Sequence, residues 1–290
     1  KKSGIQTKRL LEKDALPAWG ERNVDDLKRW DIVQLLDKIK ERAPVTANRV
    51  HGALTRLFNF AAERGVIEDS PCTRIRKAPK KGRKRVLNDY EIKLLWTSLD
   101  VDDKTVDLYR TSKLALKIIL LTGQRPGEVC GMPRAEIDGT TLNIPAARLK
   151  NKEEHSVPLC SMALEIIEQS RPLSDGSAFV FKSSYLEDGP ITVRSLSKGI
   201  CRHWQDIGIK EPFTAHDLRR TLRTRLAELG VSDVIAERVL GHKLQGVPAV
   251  YNRHDYFSKK RQALRMREGK LWRVVGLEKA SAGKIISLRR

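Results

Sequence analysis

Between Arg76 and Arg85 the chain reads RKAPKKGRKR, ten residues with seven cations, no acid, one proline and one glycine. No core can be threaded through such a stretch. Its like charges repel, unpaired lysines and arginines resist burial, and Pro79 and Gly82 interrupt helix and strand alike. The chain must therefore fold separately on either side of it. Two domains are predicted, 1–78 and 87–290, joined by a basic linker at 79–86. A length of 290 residues with 40% hydrophobic content is enough for two packed globules.

The formal net charge is +20. A field of that size destabilises the compact state by self-repulsion and calls for a polyanionic partner, with nucleic acid first in line. A membrane surface is the other acceptor of positive charge. The sequence has no strongly amphipathic Trp/Leu-versus-Lys helix and no apolar run of spanning length, so no membrane role is expected. In this setting the linker is expected to be a hinge that also neutralises DNA phosphates, through Lys80, Lys81, Arg83, Lys84 and Arg85. Cys72, Cys130, Cys160 and Cys201 are scattered, with no C-x-x-C pair and no histidine at metal-ligand spacing. They read as reduced core thiols of a cytosolic protein. The opening KKSGIQTKRLLEKD lacks the apolar centre of a secretion leader, and a start at Lys rather than Met is expected of a fragment or a processed chain.

The first 78 residues read as helical. Ile32, Leu35, Leu36 and Ile39 share one face of a helix over Asp31–Ala43 that Pro44 stops, and Val50, Leu54, Leu57, Phe58 and Ala61 line a second helix that Gly65 closes. Beyond the linker, Asn88 followed by Glu91 is a capping box ahead of an apolar helix. Ser112–Leu121 is apolar enough to be central. The stretches TLNIP (Thr141–Pro145) and HSVPL (His155–Leu159) predict a hairpin around a lysine-rich turn. Further helices are expected at Met162–Gln169, Val193–Ile207, Ala215–Leu229 and Asp233–Leu240, the last two closed by Gly230 and Gly241. The fold class is mainly α with a small β-sheet: a helical N-terminal domain and an α+β second domain.

Six side chains stand out in the second domain: Arg125, Lys150, His216, Arg219, His242 and Tyr251. Singly each has an ordinary explanation, as a surface ion pair, a solvated lysine or a packed aromatic. Together they answer the demands of phosphoryl transfer. A phosphodiester needs guanidinium forks on its oxygens. A tyrosine hydroxyl, with pKa about 10, is ionised to only about one part in a thousand at pH 7 and needs a base; the leaving oxygen needs an acid. No carboxylate cluster is left over to hold Mg²⁺, so a reaction without metal or cofactor is predicted. His51, His155, His203 and His254 fit no step of this chemistry and are expected to be surface or core residues.

In order along the chain, TGQRPGEVCGM, the lysine of RLKNKEEHSVPL, HDLRRT, LGHKLQGVPAVY and NRHDYFSKKRQAL resemble the tyrosine recombinase (phage integrase) family over residues 85–265. The segment AVYNRHDY is most similar to integrases of prophages and genomic islands, and the first 78 residues more weakly resemble the family's core-binding domain. The resemblance implies a role for each residue. Arg125 and Arg219 bind the scissile phosphate, His216 assists there and takes the tyrosine proton, and Lys150 protonates the 5′-hydroxyl leaving group. His242 hydrogen-bonds the phosphate, Tyr251 forms the 3′-phosphotyrosyl bond, and Glu128 orients Arg125. The hairpin also offers Lys152, and Tyr256 lies five residues beyond Tyr251; Lys150 and Tyr251 are the preferred assignments.

The resemblance further implies integration or excision of a mobile element by strand exchange on double-stranded core-type DNA sites. It implies a homotetramer with a Holliday-junction intermediate, and DNA-bending accessory proteins in a nucleoid-associated setting. Many relatives carry an upstream arm-binding domain, and the sequence is expected to be a truncated form from which such a domain is missing. The segment after Tyr251, with LWRVV at Leu271–Val275, is expected either to dock on a partner protomer or to close its own domain. Two other classes remain compatible with the residues: a type IB topoisomerase-like enzyme, and a DNA-binding factor without catalysis.

Overall fold

A computed structural model describes residues 2–79, 82, 84–242 and 256–277. The chain divides into two compact units, Lys1–Arg83 and Lys84–Arg290.

The first unit is helical. Helix α1 (Lys2–Leu10) runs through a π-helical turn at Leu11–Ala15 into α2 (Leu16–Trp19), and is followed by α3 (Arg29–Arg42) and α4 (Pro44–Glu63). Pro44 both stops α3 and opens α4, because its missing N–H is no loss in a first helical turn. Ala43 alone makes the turn, at φ −160° and ψ 80°. Ile32, Leu36 and Ile39 of α3 pack on Ala47, Val50, Leu54 and Phe58 of α4. Leu57, expected on the same stripe, is instead exposed. Gly65, at φ 68°, closes α4 with paired bonds from its own N–H to Ala62 O and from Val66 N–H to Ala61 O. The segment leading into the linker is clamped by Asn48, whose amide donates to Ala78 O (2.9 Å) and accepts from Ala78 N–H (3.0 Å).

The second unit is built around α6 (Arg110–Thr122), nearly all of whose residues are buried. A helix apolar on so many sides must sit at the centre, and α6 packs against α7 (Pro126–Cys130), α8 (Ser161–Gln169) and α10 (Ala215–Glu228). The unit opens with α5 (Asp89–Ser98). Asn88 Oδ1 accepts from Glu91 N–H (2.9 Å) and Glu91 accepts from Asn88 N–H (3.0 Å), the reciprocal cap read from the sequence. The sheet has the antiparallel order β1-β2-β3, with β1 (Ile137–Asp138), β2 (Thr141–Ile144) and β3 (His155–Pro158). Leu142 faces Val157 and Ile144 faces His155, all turned inward, while Ser156 and Asn143 pair on the outer face at 2.8 Å. α9 (Val193–His203) ends four residues earlier than expected, in turns leading to Gly208. Among the described residues, α11 (Asp233–Val239) and α12 (Phe257–Val275) follow. On α12, Ala263, Leu264 and Leu271 are buried in the core, and Trp272, Val274 and Val275 pack against it. The LWRVV segment therefore packs on its own unit.

Candidate active site

Arg125 lies where α6 gives way to α7. Gly123 ends α6 in the left-handed region, at φ 66°, and Pro126 occupies the first turn of α7. Glu128, buried three residues on, accepts the Arg125 backbone N–H (2.8 Å) and its Nη1 (2.6 Å). This two-point hold fixes the guanidinium of a half-buried arginine. Arg148, at the base of the hairpin, donates to Glu128 O (2.8 Å) and pairs with Glu136, bracing α7 from the sheet side.

Arg219 comes from α10 and is 3% exposed. Its Nη1 donates to Gly123 O (2.6 Å), and its Nη2 donates to Leu240 O (2.8 Å) and to His242 Nε2 (2.7 Å). Burial, then the charge of Arg125, push its pKa down to about 10, against the pull of Glu128 and Glu237. It stays protonated at neutral pH, and the repulsion from Arg125 means that an anion between the two would relieve both. His216, one turn earlier on α10, is exposed. Partial desolvation of its ring, followed by Arg219 and Arg220, lowers its pKa, with Arg125 adding to the effect and Asp217 opposing it. A neutral imidazole at pH 7 is the form a general base requires.

His242 owes its place to Gly241. At φ 64° that glycine turns the end of α11 back, so that Gly241 N–H reaches Arg238 O and His242 N–H reaches Glu237 O (3.0 Å). The same turn sets the His242 Nδ1 against Glu237 Oε2 at 2.5 Å. Glu237 is held on its other oxygen by Arg223 Nε (2.8 Å), and Arg223 in turn donates to Asp233 (2.7 Å). Burial raises the Glu237 pKa, but Arg223 and His242 outweigh it and the net shift is downward. Gln124, fully buried, donates to Thr122 O and Val239 O and ties the end of α6 to the end of α11.

Lys150 is exposed at the tip of the β2–β3 turn. Its neighbour Asn151 donates to Gly241 O (3.5 Å), which brings the tip beside His242. Lys152 sits at φ 55°, a strained position for a side-chain-bearing residue. The structure thus gathers Arg125, Glu128, His216, Arg219 and His242, with the Lys150 turn at their margin. Tyr251 lies outside the described residues, as do Lys80, Lys81, Arg83 and His254. Tyr256 is the N-cap of α12, packed on the core with Arg238 over its ring at 5.9 Å. Of the linker cations, Lys84 is exposed. Arg85 is turned inward, donating to Val86 O (2.9 Å) and pairing with both oxygens of Glu91. Its charge is neutralised within the fold. His155 is buried against Gly241, His51 is buried in the first unit, and His203 pairs with Asp206 (2.7 Å). Among the described residues, no group of three or more His, Cys, Asp or Glu is placed to hold a metal ion, and no helix is long and apolar enough to cross a membrane.

Sequence reasoning missed Glu237, Arg223, Gln124 and Arg148. Glu237 precedes His242 by five residues, a spacing that does not share a face on a regular helix. The only sequence trace of the pair is Gly241, which permits the turn that joins them.

Comparisons with known proteins fit this geometry. The phage integrase family matches residues 86–257, and the phage integrase central domain matches residues 1–78. Prophage integrase IntA of Escherichia coli strain K12 is 28% identical over 286 residues, which cover 96% of this chain and 66% of that protein. Prophage integrase IntZ of the same strain is 28% identical over 262 residues, covering 88% of this chain and 63% of that protein. The chain thus spans about two thirds of the length of these relatives. Among solved structures, a lambda integrase dimer bound to a COC′ core site shares the fold with a TM-score of 0.70 at 22% identity, covering 84% of this chain and 89% of that one. The Tn1549 transposon integrase in complex with circular intermediate DNA gives 0.66 at 18% identity, covering 90% and 92%. The chain belongs to the phage integrase family.

Proposed function

We propose that the chain is a site-specific DNA recombinase that cuts and rejoins strands through a 3′-phosphotyrosyl intermediate. The observation that carries this reading is the convergence of Arg125 and Arg219, each aimed by buried acceptors, beside a His216 kept neutral and a His242 held by Arg219. Two guanidinium groups fixed before substrate arrives supply the preorganised positive field that a pentacoordinate phosphorane demands.

In the proposed reaction Arg125 and Arg219 hold the non-bridging oxygens of the scissile phosphate and His242 adds a hydrogen bond. His216 accepts the phenolic proton as Tyr251 attacks, forming the Tyr251 O–P bond. The P–O5′ bond breaks and Lys150 protonates the leaving oxygen. The bond energy is retained in the phosphotyrosine, so a 5′-hydroxyl from another strand reverses the step without ATP. Glu128 orients Arg125. Residues 1–78 serve as the core-DNA-binding domain, 79–86 as the linker and 87–290 as the catalytic domain. Lys80, Lys81, Arg83 and Lys84 contact DNA phosphates, and Arg85 holds the start of α5 instead. Lambda integrase has been seen as a tetramer on a Holliday junction; by analogy the chain acts as a homotetramer during synapsis, on core-type sites of a mobile element, with DNA-bending partners, in the cytoplasm at the nucleoid.

Trapping on a nicked suicide substrate tests the reading. Wild type and Tyr256→Phe should form a covalent protein–DNA band on a denaturing gel, and Tyr251→Phe should not. Binding without any covalent band would favour a non-catalytic DNA-binding factor. Relaxation of supercoiled plasmid without a specific site would favour a topoisomerase.

A further inference from the structure

We propose that Glu237 is a positioning residue that acts through His242, by dictating which ring nitrogen carries the proton. This rests on the strand-cleavage reading above. A guanidinium has donors and no acceptor, so the 2.7 Å contact from Arg219 Nη2 makes His242 Nε2 an acceptor. In the neutral ring the proton must then be on Nδ1, where it is donated to Glu237 Oε2 at 2.5 Å. Glu237 is held in this orientation on its other oxygen, which takes the Arg223 Nε–H at 2.8 Å, and Arg223 also donates to Asp233 at 2.7 Å. The side chains of Asp233, Arg223, Glu237, His242 and Arg219 are therefore linked in one chain of hydrogen bonds.

The consequence appears when a phosphodiester enters. Arg219 Nη2 swings its hydrogen bond to a phosphate oxygen and releases the Nε2 lone pair. Nε2 can then take up a proton from solvent and donate a hydrogen bond to the phosphate, while Nδ1–H stays hydrogen-bonded to Glu237. The resulting imidazolium stands between Arg219 and Arg223, and the Glu237 carboxylate offsets that crowding of positive charge. Without the carboxylate only the Arg219 contact favours the proton on Nδ1, and that contact is given up to the phosphate; in the Nε2–H tautomer the ring would present a donor to the Arg219 donor.

Glu237→Gln makes a directional test. Arg223 Nε can only donate, so it captures the amide oxygen and turns the NH₂ toward His242 Nδ1. The amide N–H on Nδ1 then drives the proton to Nε2 at the expense of the Arg219 contact. The ¹⁵N spectrum of the His242 ring should therefore read Nδ1–H in wild type and Nε2–H in the variant. Single-turnover formation of the covalent adduct should fall by about tenfold to a hundredfold with DNA affinity unchanged. In the double variant Glu237→Gln, Arg223→Ala the amide is free to rotate its oxygen to Nδ1, so the Nδ1–H signal and much of the cleavage rate should return. A merely structural Glu237 would not be rescued by a second deletion. A wild-type ring protonated on Nε2, or Glu237→Gln cleavage at the wild-type rate, overturns the proposal. If Glu237→Gln does not fold, the wild-type spectrum still decides. Failure of wild type to form any adduct sinks the strand-cleavage reading instead, and with it the catalytic part of this proposal, whereas the tautomer is decided by the spectrum.

Discussion

Replacing Gly123 by alanine isolates how tightly the Arg219 site is built. A Cβ at Gly123 would lie 2.3 Å from Leu222 Cδ2 and 2.8 Å from Leu240 Cδ2, at a backbone φ of 66°. Gly230 is the internal control. Its φ is 76°, and a Cβ there meets nothing within 4 Å. Both substitutions incur left-handed strain, about 1 kcal/mol. Only Gly123→Ala adds overpacking. Leu222 is 0% and Leu240 3% exposed, so neither leucine can swing out, and an extra carbon in such a place destabilises by about 1–3 kcal/mol. Gly230→Ala is therefore expected to lower stability by about 1 kcal/mol and Gly123→Ala by about 3 kcal/mol, read by urea denaturation. In melting temperature this corresponds to about 2–4 °C per kcal/mol for a domain of this size. Gly123→Ala should also weaken DNA cleavage, because the Gly123 carbonyl that takes Arg219 Nη1 must shift with the backbone. Equal losses in the two variants would refute the claim that the α6–α10–α11 junction is closed to one more carbon.

His155 makes the second unit acid-sensitive. Burial first, then Lys260, push its pKa down to about 4. Its value in the unfolded chain is about 6.5, so below that pH the unfolded chain takes up a proton that the folded state refuses. The stabilisation is complete above about pH 6.5 and falls by about 3 kcal/mol as pH approaches 4; urea midpoints across this window should slope downward in wild type and flatten in His155→Gln. Changing Lys80, Lys81, Arg83 and Lys84 to glutamine should lower the slope of log binding constant against log salt by up to about 4, at about 0.9 for each DNA phosphate that is no longer neutralised. An unchanged slope would make the linker a plain hinge, whereas Arg85→Gln should act on stability through Glu91. Leu271→Ala, at a fully buried position of α12, is expected to destabilise the unit by about 2–4 kcal/mol in denaturant titration; a loss below about 1 kcal/mol would mean that α12 is not part of the closed core.

Much of the fold was legible because it is local. The period of Ile32, Leu36 and Ile39, the Asn88–Glu91 box and the glycines at 65, 230 and 241 each report on a few neighbouring residues, and the structure uses them as read. Errors arose where one residue serves two elements or where charge is neutralised by a distant partner. Pro44 reads as a stop, yet it is also a start. Arg85 reads as one of seven equivalent cations, and only the fold shows it facing Glu91. Arg267, on α12, is 1% exposed, although an arginine in a basic segment announces itself as solvated.

The candidate site divides along the same line. Its proposed reacting groups are side chains of distinctive chemistry, so the arginines and histidines could be picked out by type and order, together with the orienting Glu128. What aims them is largely backbone. Arg219 is directed by the carbonyls of Gly123 and Leu240, and His242 by the turn at Gly241. Carbonyls have no sequence signature. What the sequence does retain is the pair of glycines that let the chain turn at these places: Gly123 at φ 66° and Gly241 at φ 64°, both hard against neighbouring side chains. A Cβ at Gly241 would lie 2.8 Å from the buried His155 ring, as one at Gly123 would meet Leu222 and Leu240. The two glycines thus mark where the backbone must be bare for Arg219 and His242 to be aimed, and this is why substitutions that touch neither side chain should still disable the proposed site.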